Sequence, residues 1–219
     1  MIWAIGDVHG CLNSLEKLIG QISPKDGDKL IFLGDYIDRG PDSKGTIDFL
    51  CSLSKTVDCV FLRGNHEQML LNVLDNNEDP YRWVINGARD TWRSYGNMQN
   101  ILTYEEHMEF FRSTKYYHIE ESVEKTNGDI EKYLFVHAGI RPNVPIERQD
   151  PQELIWIREE FIFKRHNLDC IVVFGHTPLE DVLVEKDKIG IDTGCVYGGK
   201  LTAYCITNDK IRQVDCTHV

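Results

Sequence analysis

Asp, Asn and His side chains recur in five short motifs that are spaced along much of the chain. Each motif follows a run of apolar, largely β-branched residues and contains or adjoins glycine, which is typical of a turn at the end of a strand. In an open α/β sheet, ligands gather where strands end and loops begin. The pattern therefore predicts a cluster of polar side chains at one edge of a sheet. The five motifs are Gly6–Gly10, Gly34–Gly40, Arg63–Glu67, His137–Gly139 and Gly175–Thr177.

The side chains of this cluster suit a pair of divalent metal ions, and two clamped metals are a standard means of hydrolysing phosphate esters. Asp7 and His9 lie two residues apart and can face one ion if the turn curls, while Asp35 has two oxygens with which to bridge two ions. Mixed oxygen and imidazole ligation favours manganese, iron or zinc over calcium or magnesium. The predicted ligands are Asp7, His9, Asp35, Asn65, His137 and His176.

Each of these signals is weak when it is taken alone. A Gly-Asp sequence such as Gly6-Asp7 is usually an ordinary turn, and a single His after a strand is usually a core or surface residue. Four of the eight His residues, however, lie within the five motifs. The joint occurrence of all five motifs in this order favours the metal interpretation.

Two residues near the predicted ligands have the chemistry of an acid catalyst. His66 follows Asn65 directly but is expected to point away from the metals, and Asp38 lies three residues after Asp35. A carboxylate next to an imidazole favours the charged form of the ring. A protonated His66 held by Asp38 could therefore donate its proton to a leaving alkoxide.

Two arginines are candidates for binding the phosphate. Arg39 can contact phosphate oxygens with two parallel hydrogen bonds, as a guanidinium does well. Arg158 has two interpretations from the sequence alone. It is either a second phosphate ligand or a solvated helix charge beside Glu159 and Glu160.

Length, charge and cysteine usage exclude several classes of protein. A chain of 219 residues suits one domain, residues 1–219, with a sizeable core. Its net charge of −11 argues against general binding to nucleic acid or to anionic membranes. We expect no signal peptide, because Ile2–Ile5 runs directly into the first motif, and no stretch is long and apolar enough to span a bilayer. The seven Cys are scattered without a Cys-x-x-Cys pair, so we expect neither a disulfide framework nor a Cys-rich zinc site. A cytoplasmic location follows from these expectations.

Apolar runs alternate with helical patterns as far as Leu74, which predicts parallel strands joined by right-handed crossovers. Residues 75–112 are expected to form a mostly helical insertion, with Thr103 and Glu106 as a capping box and with aromatic side chains that serve in packing. The predicted strands are Ile2–Ile5, Leu30–Leu33 and Val57–Leu62, and the helices are Cys11–Ile19, Asp42–Leu53 and His66–Leu74. The packing aromatics are Trp83, Trp92, Tyr95, Phe110 and Phe111.

The second half of the chain is predicted to contain a second sheet. Asn127-Gly128 is a strong hairpin signal between the strands Tyr116–Val123 and Tyr133–Val136. Residues Pro151–Phe163 have a helical pattern. Short strands are predicted at Ile171–Phe174, Val182–Glu185, Ile189–Asp192, Leu201–Ile206 and Ile211–Val214. The segment pattern is that of one α/β domain with two sheets.

The motif set resembles that of the metallophosphoesterase superfamily, and specifically its phosphoprotein phosphatase branch. The Asp38-Arg39 pair and Glu67 resemble the serine/threonine phosphatase pattern. The longer strings are similar to the bacterial and phage group typified by the lambda-phage protein phosphatase. These strings are Arg63–Met69, Phe174–Pro178 and Ile191–Gly194.

The resemblance implies a fold and a role for each predicted site residue. The fold would be a four-layer β-sandwich flanked by helices, and a hydroxide bridging the two metals would attack the phosphate directly. His66, paired with Asp38, would be the general acid, and Arg39 and Arg158 would bind phosphate. The implied ligands are Asp7, His9 and Asp35 for the first metal and Asp35, Asn65, His137 and His176 for the second.

One local departure from the wider superfamily is visible. Gly175-His176 is followed by Thr177-Pro178, without a second His two positions later. The first metal is therefore expected to be completed by water, as in the phosphoprotein branch.

Three functions remain open at this point. The predicted function is a manganese-dependent protein phosphatase, with iron or zinc as alternative metals, that acts on phosphoserine and phosphothreonine and extends to phosphotyrosine. Its partner would be a phosphoprotein or phosphopeptide, bound in a groove shaped by residues 75–112 and the loop near Tyr197. The alternative is a symmetrical bis(5'-nucleosyl)-tetraphosphatase, which shares the opening motifs. A remote alternative is a non-catalytic metal-binding module, although no ligand and no acid is missing from the motif set.

Overall fold

The first of two sheets carries the opening motifs. The computed structural model describes residues 1–216, and in it a five-stranded sheet has the order β10-β9-β1-β2-β3. Strands β1, β2 and β3 are parallel, with Ala4 opposite Ile31 and Ile31 opposite Val60. The parallel pairing confirms the expectation from the alternating pattern. The strands are β1 (Ile2–Ile5), β2 (Lys29–Phe32), β3 (Asp58–Phe61), β9 (Lys200–Cys205) and β10 (Lys210–Asp215).

Helices cover the outer face of this sheet because their apolar stripes match its outward side chains. Leu15 and Leu18 of the first helix are buried in the same cluster as Trp3 and Ile5 of β1. The second helix begins where the Asp42 carboxylate accepts a hydrogen bond from the Gly45 amide at 2.8 Å. The helices are α1 (Leu12–Ile22), α2 (Ser43–Leu53) and α3 (Asn65–Leu74).

The second sheet has five strands in the order β4-β5-β6-β8-β7. Its hairpin closes at the predicted Asn-Gly turn, where the Gly128 amide donates to the Lys125 carbonyl at 2.9 Å. The two sheets face each other through a shared apolar cluster that includes Ala4 and Ile31 from one and Phe135 and Val173 from the other. The strands are β4 (Tyr117–Glu124), β5 (Ile130–Val136), β6 (Ile171–Phe174), β7 (Leu183–Val184) and β8 (Lys188–Gly190).

The segment between α3 and β4 is helical, as the sequence pattern predicts. It contains α4 (Tyr81–Ile85), α5 (Ala88–Ser94), a 3-10 helix (Gln99–Thr103) and α6 (Glu105–Ser113). The capping-box prediction was wrong, because Tyr104 is the residue before α6 and the Thr103 hydroxyl donates to the Asn100 carbonyl instead. Thr103 ends the preceding 3-10 helix, and this short-range bond removes it from the capping position.

The outer face of the second sheet is covered by two short helices rather than by the single helix predicted for Pro151–Phe163. These are α7 (Pro151–Trp156) and α8 (Glu159–Ile162), with extended backbone at Ile157 between them. Leu154, Ile157 and Phe161 all pack against this sheet. The apolar spacing therefore continues through the break, and that is why the sequence reads as one helix.

The two packed sheets with helices on both outer faces form four layers, which confirms the predicted four-layer α/β sandwich. Two further 3-10 turns lie at Ile146–Arg148 and Cys195–Tyr197. No helix among residues 1–216 is long and apolar enough to cross a membrane. The five motifs follow β1, β2, β3, β5 and β6, so both sheets deliver them to one edge of the sandwich.

Candidate metal centre and active site

The loops that carry the first two motifs are joined by backbone hydrogen bonds. The amides of Val8 and His9 donate to the Asp35 carbonyl at 3.1 and 2.8 Å, and the Gly10 amide donates to the Tyr36 carbonyl at 2.8 Å. The parallel pairing of β1 with β2 places the two loops side by side, so this bonding follows directly from the topology. The loops therefore form one rigid unit beneath the polar cluster.

The buried Glu67 carboxylate fixes the third motif to the second. Its oxygens accept hydrogen bonds from the amides of Asp35 and Tyr36, each at 2.9 Å, and from the Gly64 amide at 3.0 Å. Burial and the neighbouring Asp35 carboxylate raise the pKa of Glu67 to about 7. At Gly64 the packing is so close that an added Cβ would overlap Asp35 Oδ1. Only glycine permits this approach of the third loop to the second.

Three predicted ligand atoms converge around a fourth, the Nε2 of His137. Its Nε2 lies 3.1 Å from Asn65 Oδ1, 3.2 Å from His176 Nδ1 and 3.4 Å from Asp35 Oδ1. Ligands held about 2.0–2.2 Å from one ion lie about 3 Å from each other. The Nδ1 of His137 donates to the Leu33 carbonyl at 2.9 Å, which is the usual way in which a metal-binding imidazole is oriented. This set fits the second of the two predicted metals.

The first predicted set is centred on Asp35 and His9. His9 Nε2 lies 3.4 Å from Asp35 Oδ2, and its Nδ1 donates to the Ile37 carbonyl at 2.8 Å. Asp7 is also buried and accepts a hydrogen bond from the His176 amide at 3.0 Å. Asp35 thus presents one oxygen to each His group, which fits its predicted bridging position. These six donors, two carboxylates, an amide and three imidazoles, match the chemistry of a divalent transition metal.

The charges of the cluster depend strongly on one another. Burial by itself would raise the pKa of Asp35, but the neighbouring His137 and His66 hold it well below its ordinary value. The same ion pairing overcomes burial at His137 and raises the pKa of His137 to about 9. Burial, followed by the nearby Asp192 carboxylate, raises the pKa of Asp7. A divalent cation would favour both the carboxylates and the neutral imidazoles, so it would remove this conflict.

The predicted pair of His66 and Asp38 is formed and is completely buried. His66 Nδ1 donates to Asp38 Oδ2 at 2.6 Å. Asp38 also accepts from Trp83 Nε1 at 2.7 Å and from the Thr91 hydroxyl at 2.5 Å. His66 Nε2 is buried, has no hydrogen-bond partner among the described residues and lies 3.9 Å from Asp35 Oδ2. Its second nitrogen is therefore available at the metal cluster.

The two predicted phosphate-binding arginines contact different motifs of the cluster. Arg39 Nη1 donates to His9 Nε2 at 2.9 Å. The exposed Arg158 donates to the hydroxyl of Thr177, the residue after His176, at 3.3 Å. The break between α7 and α8 places Arg158 at this position, because it is the residue that precedes α8. Arg158 is therefore exposed at a break between two helices, next to the loop that carries His176, and its role in phosphate binding stays a prediction.

The backbone is strained at these residues. Non-glycine residues with positive φ number ten in the described chain, and five of them belong to the predicted site. Such left-handed conformations cost free energy and persist where the surroundings enforce them, often at functional sites. The five are His9, Asp35, Asp38, Arg39 and His176.

Several side chains at the site could not be identified from the sequence. Trp83 is predicted only to pack and Thr91 carries no prediction, yet both donate hydrogen bonds to the Asp38 carboxylate. Arg82 lies with its guanidinium 4.3 Å from the ring of Trp156, whose own ring is 5.9 Å from that of His176. These contacts join residues far apart in the chain, so no local pattern could reveal them.

Comparison with known proteins shows which protein family the chain matches. The family model described as calcineurin-like phosphoesterase matches residues 1–200. The chain is 30% identical over 226 residues to a bis(5'-nucleosyl)-tetraphosphatase PrpE (asymmetrical) of Oceanobacillus iheyensis, with 91% of this chain and 86% of that protein covered. It is 29% identical over 209 residues to serine/threonine-protein phosphatase 1 of Salmonella typhimurium, with 92% and 89% covered.

A solved structure shares the fold. A crystal structure described as a putative diadenosine tetraphosphatase superposes with a TM-score of 0.74 at 24% identity, covering 100% of this chain and 94% of the other. The match agrees with the four-layer sandwich described above.

Proposed function

Because the chain belongs to the calcineurin-like phosphoesterase family, we propose that it is a hydrolase of dinucleoside tetraphosphates. The family uses a binuclear divalent metal centre, and the six predicted ligands fit such a centre. The proposal reverses the order of preference that the motifs alone gave, in which protein phosphatase came first. Its support is the tetraphosphatase relative together with the surroundings of the metal cluster.

The observation that carries the proposal is a pair of arginine–aromatic contacts flanking the cluster. On the His9 side, the Arg39 guanidinium lies 5.7 Å from the ring of Tyr197, a residue that is 62% exposed. On the His176 side, the Arg82 guanidinium lies over the half-buried Trp156. Nucleic bases stack on aromatic rings and on guanidinium planes. A substrate with a base at each end and phosphates between them matches this arrangement.

The charge around the cluster also suits a polyphosphate. A chain with net charge −11 repels anions at long range, so an anionic substrate must be attracted locally. A groove of about 610 Å³ beside the cluster is lined by Trp156, by Arg82, Arg141 and Arg158, and by Glu153, Glu159 and Glu160. Arg141 is paired with Glu153 and Glu160, so Arg82 and Arg158 supply the positive charge for the part of the substrate beyond the reacting phosphate.

The side chains divide the work as follows. Asp7, His9, Asp35, Asn65, His137 and His176 would hold two divalent ions, which supply Lewis acidity and an activated water when bound. Arg39 and Arg158 would bind the oxygens of the reacting phosphate. His66 would donate a proton from Nε2 to the departing oxygen, with Asp38 holding the ring through Nδ1.

A protein phosphatase is the second candidate, and the buried Asp38–His66 pair favours it. The alkoxide of a serine leaves poorly and needs a proton, whereas a nucleotide phosphate is a much better leaving group. The relative from Salmonella typhimurium bears a protein-phosphatase name.

Direct competition between substrates would decide between the two candidates. We expect the Mn²⁺-loaded protein to have a kcat/KM for diadenosine tetraphosphate at least about tenfold above that for phosphoserine, phosphothreonine or phosphotyrosine peptides, because stacking is worth about 1–3 kcal/mol per base. Chromatography of the products would show two ADP from symmetrical cleavage or ATP plus AMP from asymmetrical cleavage. A higher kcat/KM on any phosphopeptide would contradict the proposal and favour the protein phosphatase.

Variants of the flanking rings provide the matched test. Tyr197→Ala and Trp156→Ala should each lower kcat/KM for diadenosine tetraphosphate about 5- to 150-fold, which corresponds to 1–3 kcal/mol, and should lower p-nitrophenyl phosphate hydrolysis much less. Phe163→Ala removes an aromatic ring that is 80% exposed and outside both pairs, so it serves as the control. Equal losses on both substrates would mean that the rings do not bind bases.

A further inference from the structure

Three cysteine thiols that are far apart in the sequence lie close together where the first motif ends. Cys195 Sγ lies 3.1 Å from Cys216 Sγ, and Cys216 Sγ lies 3.6 Å from Cys11 Sγ. All three sulfur atoms lie within 4.8 Å of one another. Cys11 and Cys195 are buried, with 1% and 2% of their surfaces exposed, and Cys216 is half-buried. The absence of a Cys-x-x-Cys pair led us to expect no Cys-rich zinc site, but that expectation considered only local spacing.

The distances match thiolates around one ion better than a disulfide. Sulfur atoms bound tetrahedrally to one zinc at about 2.3 Å lie about 3.8 Å from each other. A disulfide bond would require about 2.05 Å and would involve only two of the three sulfurs. From these three converging sulfurs we propose that Cys11, Cys195 and Cys216 form a structural site for a soft divalent ion, zinc in the first instance. This site is separate from the oxygen- and imidazole-rich metal cluster.

The positions of the three residues give the site a structural role. Cys11 directly precedes α1, Cys195 begins the 3-10 turn Cys195–Tyr197, and Cys216 directly follows the edge strand β10. The backbone already draws the last two segments together, because the Cys216 amide donates to the Gly199 carbonyl at 3.0 Å. An ion bound by the three thiolates would clamp the end of β10 to the beginning of α1 and to this turn.

The three-cysteine site would also stabilise the edge of the sandwich that carries the metal cluster. The Cys11 thiol donates to the carbonyl of His9 at 3.5 Å, and Cys195 lies three residues after the buried Asp192. Tyr197 ends the same 3-10 turn that Cys195 begins. Soft thiolate ligands favour zinc over the harder ions that carboxylates favour, so the three-cysteine site would bind zinc in preference to manganese.

Cobalt substitution distinguishes the two sites without an activity assay. Full-length protein purified under reducing conditions and stripped of metal would be titrated with Co²⁺ while its near-ultraviolet absorption is recorded. Thiolate ligands give a charge-transfer band, which oxygen and imidazole ligands of the catalytic cluster do not give. We expect this band in the wild-type protein and expect added Zn²⁺ to bleach it. Absence of the band in folded wild-type protein would overturn the proposal.

Single substitutions identify the ligands. Cys195→Ser and Cys216→Ser should each abolish or strongly weaken the band, whereas Cys59→Ser, at a half-buried cysteine of β3 outside the cluster, should retain it. A band that survives in both cluster variants would contradict the assignment.

A measurement on the unaltered protein guards against variants that fail to fold. Zn²⁺ should protect three more thiols from a thiol reagent than are protected in the metal-free protein, and mass spectrometry should place them at Cys11, Cys195 and Cys216. Equal labelling with and without Zn²⁺, or a Cys195–Cys216 disulfide in the freshly purified protein, would overturn the proposal.

Discussion

The two nitrogens of His66 have different environments, and this difference defines its expected chemistry. Nδ1 is bound to Asp38 at 2.6 Å, while Nε2 faces the metal cluster without a partner among the described residues. We expect His66→Asn to lower kcat about 10²–10⁴-fold on alkyl phosphates, because their leaving oxygen needs a proton. The loss should be smaller on p-nitrophenyl phosphate, and steady-state kinetics on both substrates would measure the difference.

The metal content of the His66 variant shows whether His66 acts as an acid or as a metal ligand. The His66→Asn protein should keep the metal content of the wild type, because the scheme gives His66 no metal to bind. His118→Asn, at a half-buried histidine on β4, provides the control. Loss of one metal equivalent from the His66 variant would instead make His66 a ligand.

Asp35 is the residue on which both predicted metal sets depend. One of its oxygens lies 3.4 Å from His9 Nε2 and the other 3.4 Å from His137 Nε2. Asp35→Asn keeps the size of the side chain but removes its charge, so we expect weaker binding of both ions and a loss of Mn²⁺-dependent activity. Elemental analysis after dialysis would measure this. A variant with the normal two equivalents would show that Asp35 does not bridge the metals.

Single residues explain why the predicted ligands meet and why their partners could not be predicted. Asp7, Asp35 and Asn65 follow consecutive parallel strands, so local patterns plus the topology rule place them together. Trp83 and Thr91 reach Asp38 across 45 and 53 residues of sequence. No periodicity encodes such contacts, because they depend on how α4 and α5 pack.

At the scale of elements, α4 and α5 support the catalytic acid. Trp83 in α4 and Thr91 in α5 donate to the two oxygens of Asp38, so residues 75–112 do more than fill space. A hydrogen bond to a charged group contributes about 1.5–3 kcal/mol. Trp83→Phe should therefore lower the free energy of unfolding by about 1.5–3 kcal/mol beyond the cost of lost packing, as measured by urea denaturation.

A second tryptophan offers a control for this variant. Trp92 is in contact with Trp83, with ring centroids 5.8 Å apart, but its Nε1 has no hydrogen-bond partner among the described residues. Trp92→Phe removes a similar volume without removing a hydrogen bond, so it should cost less and should leave kcat unchanged. Equal costs for the two variants would argue that the bond from Trp83 to Asp38 contributes little.

The break between α7 and α8 could not be predicted from the spacing of apolar residues. Leu154, Ile157 and Phe161 have helical spacing and all face the second sheet, so a continuous helix satisfies the pattern. The backbone nevertheless becomes extended at Ile157, where ψ is 144°. This conformation directs Arg158 toward Thr177, and the sequence carries no Pro or Gly at that point to signal it.

At the scale of the whole molecule, both sheets contribute ionisable side chains to one edge of the sandwich, and the folded state must keep these charges close together. The first sheet supplies Asp7, Asp35 and Asn65, and the second supplies His137 and His176. Without metal, the protonation of each buried carboxylate and imidazole depends on the charges of its neighbours. The stability of the metal-free protein is therefore linked to pH through these groups.

Groups whose pKa is raised on folding make the metal-free protein less stable as pH rises. The pKa of His137 rises from 6.5 to about 9 on folding, so the stability it contributes is present below pH 6.5 and is lost as pH rises toward 9. The pKa of Glu67 rises from 4.5 to about 7, so its contribution is lost between pH 4.5 and about pH 7. Burial and the nearby His137 lower the pKa of His176 to about 2, which affects stability only below pH 6.5.

We therefore expect the metal-free protein to lose stability steadily between pH 6.5 and pH 9. Urea denaturation of chelator-treated protein across this range would measure the loss. Saturating Mn²⁺ should flatten or reverse the trend, because the ion binds neutral imidazoles and carboxylates and is favoured as pH rises. His137→Gln should weaken the pH dependence of the metal-free protein, since it removes a group whose pKa rises from 6.5 to about 9 on folding. A metal-free protein whose stability is constant or increases over the range would show that His137 does not carry the proton that the buried cluster needs.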